Sequence, residues 1–169
     1  MANMDDRLDQ WLRDAHAMEK QAEQMLSGQA SRIENYPQLR ARLEQHLNET
    51  KSQREKLEKC IEQRGASTSG MKDIAGKFAA IMQSFGGVIV DDEVVKATLA
   101  SYTFEHMEIA SYRILIVAAE AVGDTATAEI CKEICREEKA MAAWLADHAD
   151  EVTREYLKRE QVELETAKR

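Results

Sequence analysis

Residues 91–148, DDEVVKATLASYTFEHMEIASYRILIVAAEAVGDTATAEICKEICREEKAMAAWLADH, form the stretch that decides the fold. It contains no proline, and its one glycine, Gly123, is followed directly by Asp124. Glycine commonly ends a helix and aspartate commonly caps the start of the next, so this pair predicts a tight turn between two helices. The pattern therefore predicts two long antiparallel helices, over about 91–122 and 124–148.

Two further stretches, over about 5–30 and 37–64, are equally free of breaks, and Pro37 suits the first position of a helix. Each of the four stretches is long enough for a helix of roughly 40 Å, at 1.5 Å per residue. The short connection between the first two makes them antiparallel as well. Five of the seven glycines fall in the middle segment, 65–90. That segment is long enough to run the length of the bundle, and we expect a short helix in it around 73–85.

The pattern as a whole predicts an all-α protein, a four-helix bundle of two antiparallel hairpins joined by a long crossover that contains a short helix. We expect residues 1–149 to form this bundle. Residues 150–169, DEVTREYLKREQVELETAKR, are highly charged. We expect them to form an exposed C-terminal helix or tail that is suited to contacts between subunits.

Composition supports this fold class and limits the function. The 169 residues include 1 Pro and 7 Gly, and only 5% are aromatic, a balance that favours helices over strands. With 31 acidic and 23 basic residues the net charge is −8, so we expect cations rather than nucleic acid or anionic membranes as partners. The charged N-terminus and the absence of a long apolar run predict a cytoplasmic protein. Three cysteines without CxxC spacing indicate reduced, buried thiols.

Each predicted helix carries acidic residues within the apolar stripe that should face the core. The stripe of the third helix is expected to contain Val95, Tyr102, Ile109, Tyr112 and Ile116. The acids on the four stripes are Glu19 on the first helix, Glu49 at the edge of the second near His46, Glu105 and Glu108 on the third, and Glu138 on the fourth.

Inward carboxylates need a source of positive charge. Burying four ionised carboxylates without partners would cost several kcal/mol each, which together is comparable to the roughly 5 to 15 kcal/mol by which a domain is stable. Arginine is scarce on the same stripes, with Arg54 the best candidate for a supporting partner. Two divalent cations would balance four carboxylates, so the stripes predict a two-metal site.

The spacing of the glutamates gives a second, independent indication. Glu49 follows Glu19 by 30 residues, and Glu138 follows Glu108 by 30 residues. Equal intervals in two hairpins would place the four glutamates at one level of the bundle, related by an approximate two-fold axis. One turn before each of them lies a residue type that can bind a metal, namely His16, His46, Glu105 and Cys135.

Several segments resemble the YciE and YciF group of bacterial ferritin-like proteins. They are WLRDAHAMEKQAEQML, LRARLEQHLNETKSQREKLE, FEHMEIASY and CREEKAMAAWL, together with the NYPQLRARLEQHL entry to the second helix. The likeness covers nearly the whole chain and is closest to the YciE branch. It implies a ferritin-like four-helix bundle, often dimeric, from stress-associated operons, with a dinuclear iron or manganese centre.

Carried over residue by residue, the metal ligands that the resemblance implies fall on Glu19, His46, Glu49, Glu105, Glu108 and Glu138. The broader di-iron pattern has a histidine three residues after a glutamate, whereas Ser52 and Met141 stand at that offset here. The ligand set is therefore rich in oxygen, which suits iron or manganese better than copper or zinc. By analogy, such a centre would carry out stress-related chemistry on peroxide or dioxygen, as a di-metal oxidoreductase.

An alternative from another class is a metal-free helical stress protein that acts through dimerisation or through a related ferritin-like subunit. In that case the inward carboxylates are protonated, paired with Arg54 and the histidines, or hydrogen-bonded to Tyr102 and Tyr112. The unusual histidine spacing favours this alternative. The sequence assigns no role to His16, Cys131 or Cys135.

Overall fold

The computed structural model describes residues 3–66 and 91–168, and the five helices of this part are α1 (Met4–Arg32), α2 (Pro37–Gln63), α3 (Glu93–Ala121), α4 (Thr125–Glu160) and α5 (Leu164–Lys168). α1 packs along α2 and α3 packs along α4, and the two hairpins meet through α1 with α3 and through α2 with α4. The predicted all-α bundle of two antiparallel hairpins is confirmed. The short crossover helix expected around 73–85 lies outside the described residues.

Local sequence signals set the helix ends. Asn3 and Asp6 form a capping box at the start of α1, in which each side chain accepts a hydrogen bond from the other residue's backbone N–H. Gly123 has a φ of 79°, the left-handed conformation that ends α3. Asp124 Oδ1 then accepts a hydrogen bond from the N–H of Thr127, 3.0 Å away, and caps α4. The turn predicted at Gly123–Asp124 is confirmed.

The C-terminal region differs from the prediction. α4 is continuous across residue 149 and ends only at Glu160. Val152 and Tyr156 on this extension are buried in the core, and so is Ala167 on α5. The hydroxyl of Tyr36 donates a hydrogen bond to the carbonyl of Ala167, which ties α5 to the start of α2. Residues 150–160 are helical, one of the two expected forms, but they are not wholly exposed, because Val152 and Tyr156 continue the apolar stripe of α4.

The apolar core is divided into two halves. One half contains, among others, Leu8, Leu12, Leu57, Ile61, Leu115 and Ile134. The other contains Leu26, Leu39, Leu43, Val94, Met141 and Leu145. His46 on α2 and Glu138 on α4 lie between these two sets, whereas Glu19, Glu105 and Glu108 lie among side chains of the first half. These five buried residues form a polar layer that interrupts the apolar core.

The buried face of α3 is rotated from the predicted stripe. Ser101, Phe104 and Leu115 are buried, whereas Tyr102 is 37% exposed. The error arises because α3 is apolar around most of its circumference, so its hydrophobic pattern does not define one face. Glu105, Glu108 and Tyr112 are buried as expected. Within the described ranges, no helix has both the length and the apolar composition that a membrane crossing requires.

Arg64 ties the end of α2 to two other elements, and its loss is expected to destabilise the fold. Its guanidinium contacts Asp9 at 2.5 Å, Asp124 at 2.8 Å and Asp5 at 3.1 Å. In Arg64→Ala we expect a loss of about 2 to 3 kcal/mol in the free energy of unfolding, because three carboxylates lose a charged hydrogen-bond donor. Urea unfolding measures this loss.

The matched control is Arg154→Ala. Arg154 contacts only Asp150 among the described residues, and both side chains are more than 70% exposed. That variant should change the free energy of unfolding by less than about 0.5 kcal/mol. Equal effects of the two substitutions would contradict a structural role for the Arg64 cluster.

Candidate metal centre

Four of the six predicted ligands converge in the middle of the bundle. His46 from α2, Glu105 and Glu108 from α3, and Glu138 from α4 each offer one ligand atom, and these atoms all lie within 4.8 Å of one another. The four side chains are buried. Glu105 and Glu108 reach the same point because residues three apart lie on one face of a helix.

Glu19 brings the fifth buried acid, from α1. The hydroxyl of Tyr112 donates a hydrogen bond to Glu19 Oε1. Glu19 Oε2 is buried and has no hydrogen-bond partner. Glu19 is outside the group of four, but it is close enough to Glu138 for the two carboxylates to repel each other. The polar layer therefore receives one carboxylate from α1, two from α3 and one from α4, and a histidine from α2.

Glu49 has a different position. Its side chain is 26% exposed, and Glu49 Oε2 lies 2.8 Å from His46 Nδ1. It also accepts hydrogen bonds from Gln45 at 2.9 Å and from Arg42 at 3.3 Å. Glu49 therefore holds the outer nitrogen of the imidazole, and its ligand role remains a prediction.

His46 is the cation of the metal-free cluster. Its Nε2 lies 3.1 Å from Glu105 Oε2 and 3.3 Å from Glu138 Oε2. Neither contact has the angles of a hydrogen bond, so these three atoms have charged neighbours but no hydrogen-bond partner. Burial lowers the pKa of His46, but the contacts with Glu105, Glu138 and Glu49 outweigh it and raise that pKa to about 12.

The pKa values of the acids are shifted in different directions. Burial raises the pKa of Glu105 to about 8, and burial together with the Glu138 charge raises the pKa values of Glu19 and Glu108 well above the ordinary value. Burial also acts on Glu138, but the nearby imidazole dominates and lowers its pKa. The hydrogen bond from His46 lowers the pKa of Glu49 to about 2. Without a metal, the layer therefore holds protonated acids around an imidazolium that is paired with Glu138 and Glu49.

The unsatisfied atoms test whether these residues fit a cation. Buried polar atoms without a hydrogen bond in this layer include Glu19 Oε2, Glu105 Oε2, Glu108 Oε1, both carboxylate oxygens of Glu138, and His46 Nε2. Each such atom costs about 1 to 3 kcal/mol, so an arrangement that leaves several together calls for a shared partner. Carboxylate oxygens with one imidazole nitrogen are a donor set that iron and manganese accept. The described residues fit a metal centre.

Other residues considered from the sequence lie outside this group. Arg54 Nε contacts Glu23 Oε2 at 3.1 Å and does not support the cluster. Tyr102 makes an edge contact with His106, with ring centroids 4.5 Å apart. His16 is buried, and neither of its ring nitrogens has a hydrogen-bond partner. Burial lowers the pKa of His16, which favours its neutral form.

Sequence analysis missed one polar residue near the layer, Gln53. Gln53 is fully buried and donates a hydrogen bond to Glu137 Oε2 at 2.8 Å. Its place on the apolar stripe of α2, one turn after Glu49, is a signal that could have identified it. The sequence indicated the hydroxyl of Tyr112 only as one of several possible partners for the inward acids. Its hydrogen bond with Glu19 could not be predicted without knowing how α1 packs against α3.

The three cysteines are buried, as predicted, and none forms a disulfide. Burial raises the pKa of Cys60, and it raises the pKa of Cys131 to about 12. Both effects favour the protonated thiol, which is a poor nucleophile and a poor metal ligand. Cys135 Sγ faces the carbonyl of Ile109 at 4.0 Å.

Comparisons with known proteins place the chain in context. YciF from Escherichia coli strain K12 is 32% identical over 155 residues, which cover 88% of this chain and 92% of YciF. The crystal structure of that stress protein superimposes with a TM-score of 0.77 at 28% identity, over 88% of this chain and 96% of the other. That YciE is the nearer relative remains a prediction.

A crystal structure from Xanthomonas campestris is more similar, with a TM-score of 0.82 and 42% identity over 95% of this chain and 100% of the other. YcfI from Rhodopseudomonas palustris has a TM-score of 0.72 and 27% identity, over 86% of this chain and 94% of the other. Residues 3–158 match the family described as Domain of unknown function (DUF892). The chain therefore belongs to the DUF892 family, and it shares the helical fold of YciF.

Proposed function

We propose that this protein binds two divalent transition-metal ions, iron or manganese, in the polar layer of the bundle. One observation carries the proposal: ligand atoms of His46, Glu105, Glu108 and Glu138 lie together in the core, and most of them lack hydrogen-bond partners. An apolar side chain at any of these positions would pack without that cost. A role in binding cations explains why the layer is polar.

The charge of the layer suits two ions rather than one. Glu19, Glu105, Glu108 and Glu138 would together contribute four negative charges when ionised, and two divalent ions carry four positive ones. His46 becomes a ligand only as the neutral imidazole, so it must release its proton. Glu49 would then hold the outer imidazole nitrogen and fix the direction in which Nε2 points.

When bound, a pair of redox-active ions would supply electrons to peroxide or dioxygen, and this is the chemistry that we propose for the protein as a di-metal oxidoreductase. The chain itself contributes exclusion of water, because the residues of the layer are buried among the apolar side chains of the core. It also contributes Tyr112, whose hydroxyl holds Glu19. The resemblance to ferritin-like stress proteins supports the type of reaction by analogy only.

Elemental analysis of Glu19→Ala combined with Glu138→Ala tests the site. We expect about two iron or manganese ions per chain in the unchanged protein purified without chelators, and less than one in the variant, because each ion loses a carboxylate. The control combines Glu44→Ala with Glu133→Ala, which removes two acids on the exposed surface. Metal content that stays the same in the core variant would show that the ions bind elsewhere.

A second candidate function is that of a metal-free protein that acts by association. Two observations favour it. The imidazolium of His46 and the protonated acids already balance the charge of the layer without a metal. In addition, Leu99, Ile114 and Val117 on α3 are more than half exposed, and such apolar faces are typical of contacts between proteins. The partner would be a second copy of the chain or a related ferritin-like subunit.

Chelation distinguishes the two functions. A metal protein should lose thermal stability when ethylenediaminetetraacetate removes its ions, since ligands that bind only the folded state stabilise it. The associating protein should melt at the same temperature with and without the chelator, and should sediment as a dimer in both cases.

A further inference from the structure

Tyr112 is a buried polar residue that no role as a ligand accounts for. It lies on α3, one turn after Glu108, and its side chain is fully buried. Its hydroxyl donates a hydrogen bond to Glu19 Oε1 on α1. The bond crosses the interface between the two hairpins, so it links the acid on α1 to the helix that carries Glu105 and Glu108.

Because of this hydrogen bond, the two carboxylate oxygens of Glu19 have different surroundings. Oε1 is occupied by the phenol, whereas Oε2 is buried without a partner. The carboxylate cannot rotate freely about its terminal bond without breaking the bond to Tyr112. Glu19 therefore presents one particular oxygen, and an ion would be bound through that oxygen alone.

Two unpartnered carboxylate oxygens, Glu105 Oε2 and Glu138 Oε2, lie 3.1 and 3.3 Å from His46 Nε2. Glu138 Oε1, Glu108 Oε1 and Glu19 Oε2 are also buried without a hydrogen-bond partner. Glu108 offers one ligand atom to the same group as His46, Glu105 and Glu138, whereas Glu19 lies outside that group. Glu108 and Glu19 are close enough for their charges to repel, as each also is to Glu138.

We propose that Tyr112 is the positioning residue of a second cation subsite, formed by Glu19, Glu108 and Glu138, and that its hydroxyl determines whether this subsite is filled. The proposal rests on the proposed function of the polar layer as a metal centre. The first subsite, at His46, Glu105 and Glu138, contains no atom that Tyr112 touches. Loss of the hydroxyl should therefore affect one ion and leave the other.

A phenol is suited to this task because it donates a hydrogen bond without adding positive charge. A lysine or arginine at residue 112 would hold Glu19 equally well, but it would repel a cation and neutralise the carboxylate that has to bind it. A phenylalanine would fill the same space and leave Glu19 free to turn. Partners that orient ligands in this way commonly change metal affinity 10- to 100-fold.

Titration of the metal-free protein with Mn²⁺ tests the proposal, with bound and free ion counted by electron paramagnetic resonance. The unchanged protein should bind two ions. Tyr112→Phe should bind the first ion with an unchanged constant and the second at least roughly tenfold more weakly. The matched control is Tyr102→Phe, which removes a hydroxyl from a tyrosine of the same helix that is 37% exposed, and it should bind both ions normally.

A double-mutant cycle separates positioning from a general loss of structure. Glu19→Gln keeps an oxygen that accepts from Tyr112 but removes the charge, so it should also lose the second ion. Combining it with Tyr112→Phe should weaken binding no further, because both changes act through the same carboxylate. Urea unfolding of each variant shows whether the fold is intact, and Glu19→Gln alone tests the subsite if Tyr112→Phe does not fold.

Each result of these Mn²⁺ titrations bears on a different part of the proposal. Two ions bound with unchanged constants in Tyr112→Phe, or in Glu19→Gln, overturn the second subsite while leaving the metal centre in place. Equal weakening of both ions in Tyr112→Phe overturns the positioning role in favour of a structural one. No Mn²⁺ bound by the unchanged protein overturns the proposed function itself, and the role of Tyr112 with it.

Discussion

Affinity for Mn²⁺ is expected to fall about 100-fold for each pH unit of acidification between pH 7 and pH 6. The metal-free layer holds protons that a metal must displace, since the pKa of Glu105 is raised to about 8 and that of His46 to about 12. The pKa values of Glu19 and Glu108 are also raised. These four groups would release four protons when two ions bind, which is two protons per ion. Each displaced proton contributes a factor of ten per pH unit, so two per ion give a factor of about one hundred.

Lower pH weakens metal binding because of the protonation states of these groups. The groups carry protons in the metal-free protein and lose them when the ion binds, so lower pH favours the metal-free state. Competition with a chromophoric chelator measures the affinity at each pH, with the chelator's own protonation corrected. Calorimetry in two buffers of different ionisation enthalpy counts the released protons independently. Affinity that does not change between pH 6 and pH 7 would contradict the protonated layer.

His46→Ala is expected to destabilise the metal-free protein by about 3 to 5 kcal/mol at neutral pH, since it removes the cation from a buried cluster and leaves the acids unpaired. The measurement is urea unfolding with a chelator present. His106→Ala is the control, because His106 is exposed and contacts Tyr102 by its ring edge. We expect it to change stability by less than about 0.5 kcal/mol.

The loss of stability in His46→Ala depends on pH, and the pKa values of His46 and Glu49 set the range over which it is largest. The folded pKa of His46 is raised from 6.5 to about 12, so the stability that its charge contributes is complete below pH 6.5 and is lost only as the pH rises toward 12. Glu49 has a folded pKa lowered from 4.5 to about 2, so its contribution is present above pH 4.5 and is lost as the pH falls toward 2. The difference between the two proteins should be largest between about pH 4.5 and pH 6.5, and should fall by roughly 1.4 kcal/mol per pH unit above that window. A difference that grows in acid would contradict the pairing of His46 with ionised carboxylates.

Sequence reasoning located most of the candidate site because the chain places acids where apolar residues are expected. Glu19, Glu105, Glu108 and Glu138 are buried as predicted, and a helical period of 3.6 residues was sufficient to find them. The same period was not sufficient for Glu49, whose angular position on α2 lies at the edge of the stripe. A side chain at that edge can reach the core or the solvent, and the packing of the neighbouring helix decides between them.

The fold was predictable for a related reason. With one proline and seven glycines in the sequence, helix ends such as Gly123 are conspicuous. The extension of α4 to Glu160 was not predictable from charge, since only Val152 and Tyr156 of residues 150–160 are buried and most of the others are charged. Contacts between helices, such as the bond from Tyr112 to Glu19, depend on how two faces meet in space. No pattern within one helix contains that information.

The division of the core into two apolar halves has a consequence for how such a chain can vary. The buried residues of the two halves form separate clusters. Substitutions of similar volume in one cluster should therefore be tolerated independently of the residues in the other. The acids of the polar layer come from α1, α3 and α4, and they contact His46 of α2 and Tyr112 of α3. Related sequences should therefore vary more at the apolar core positions than at the buried acids of the polar layer.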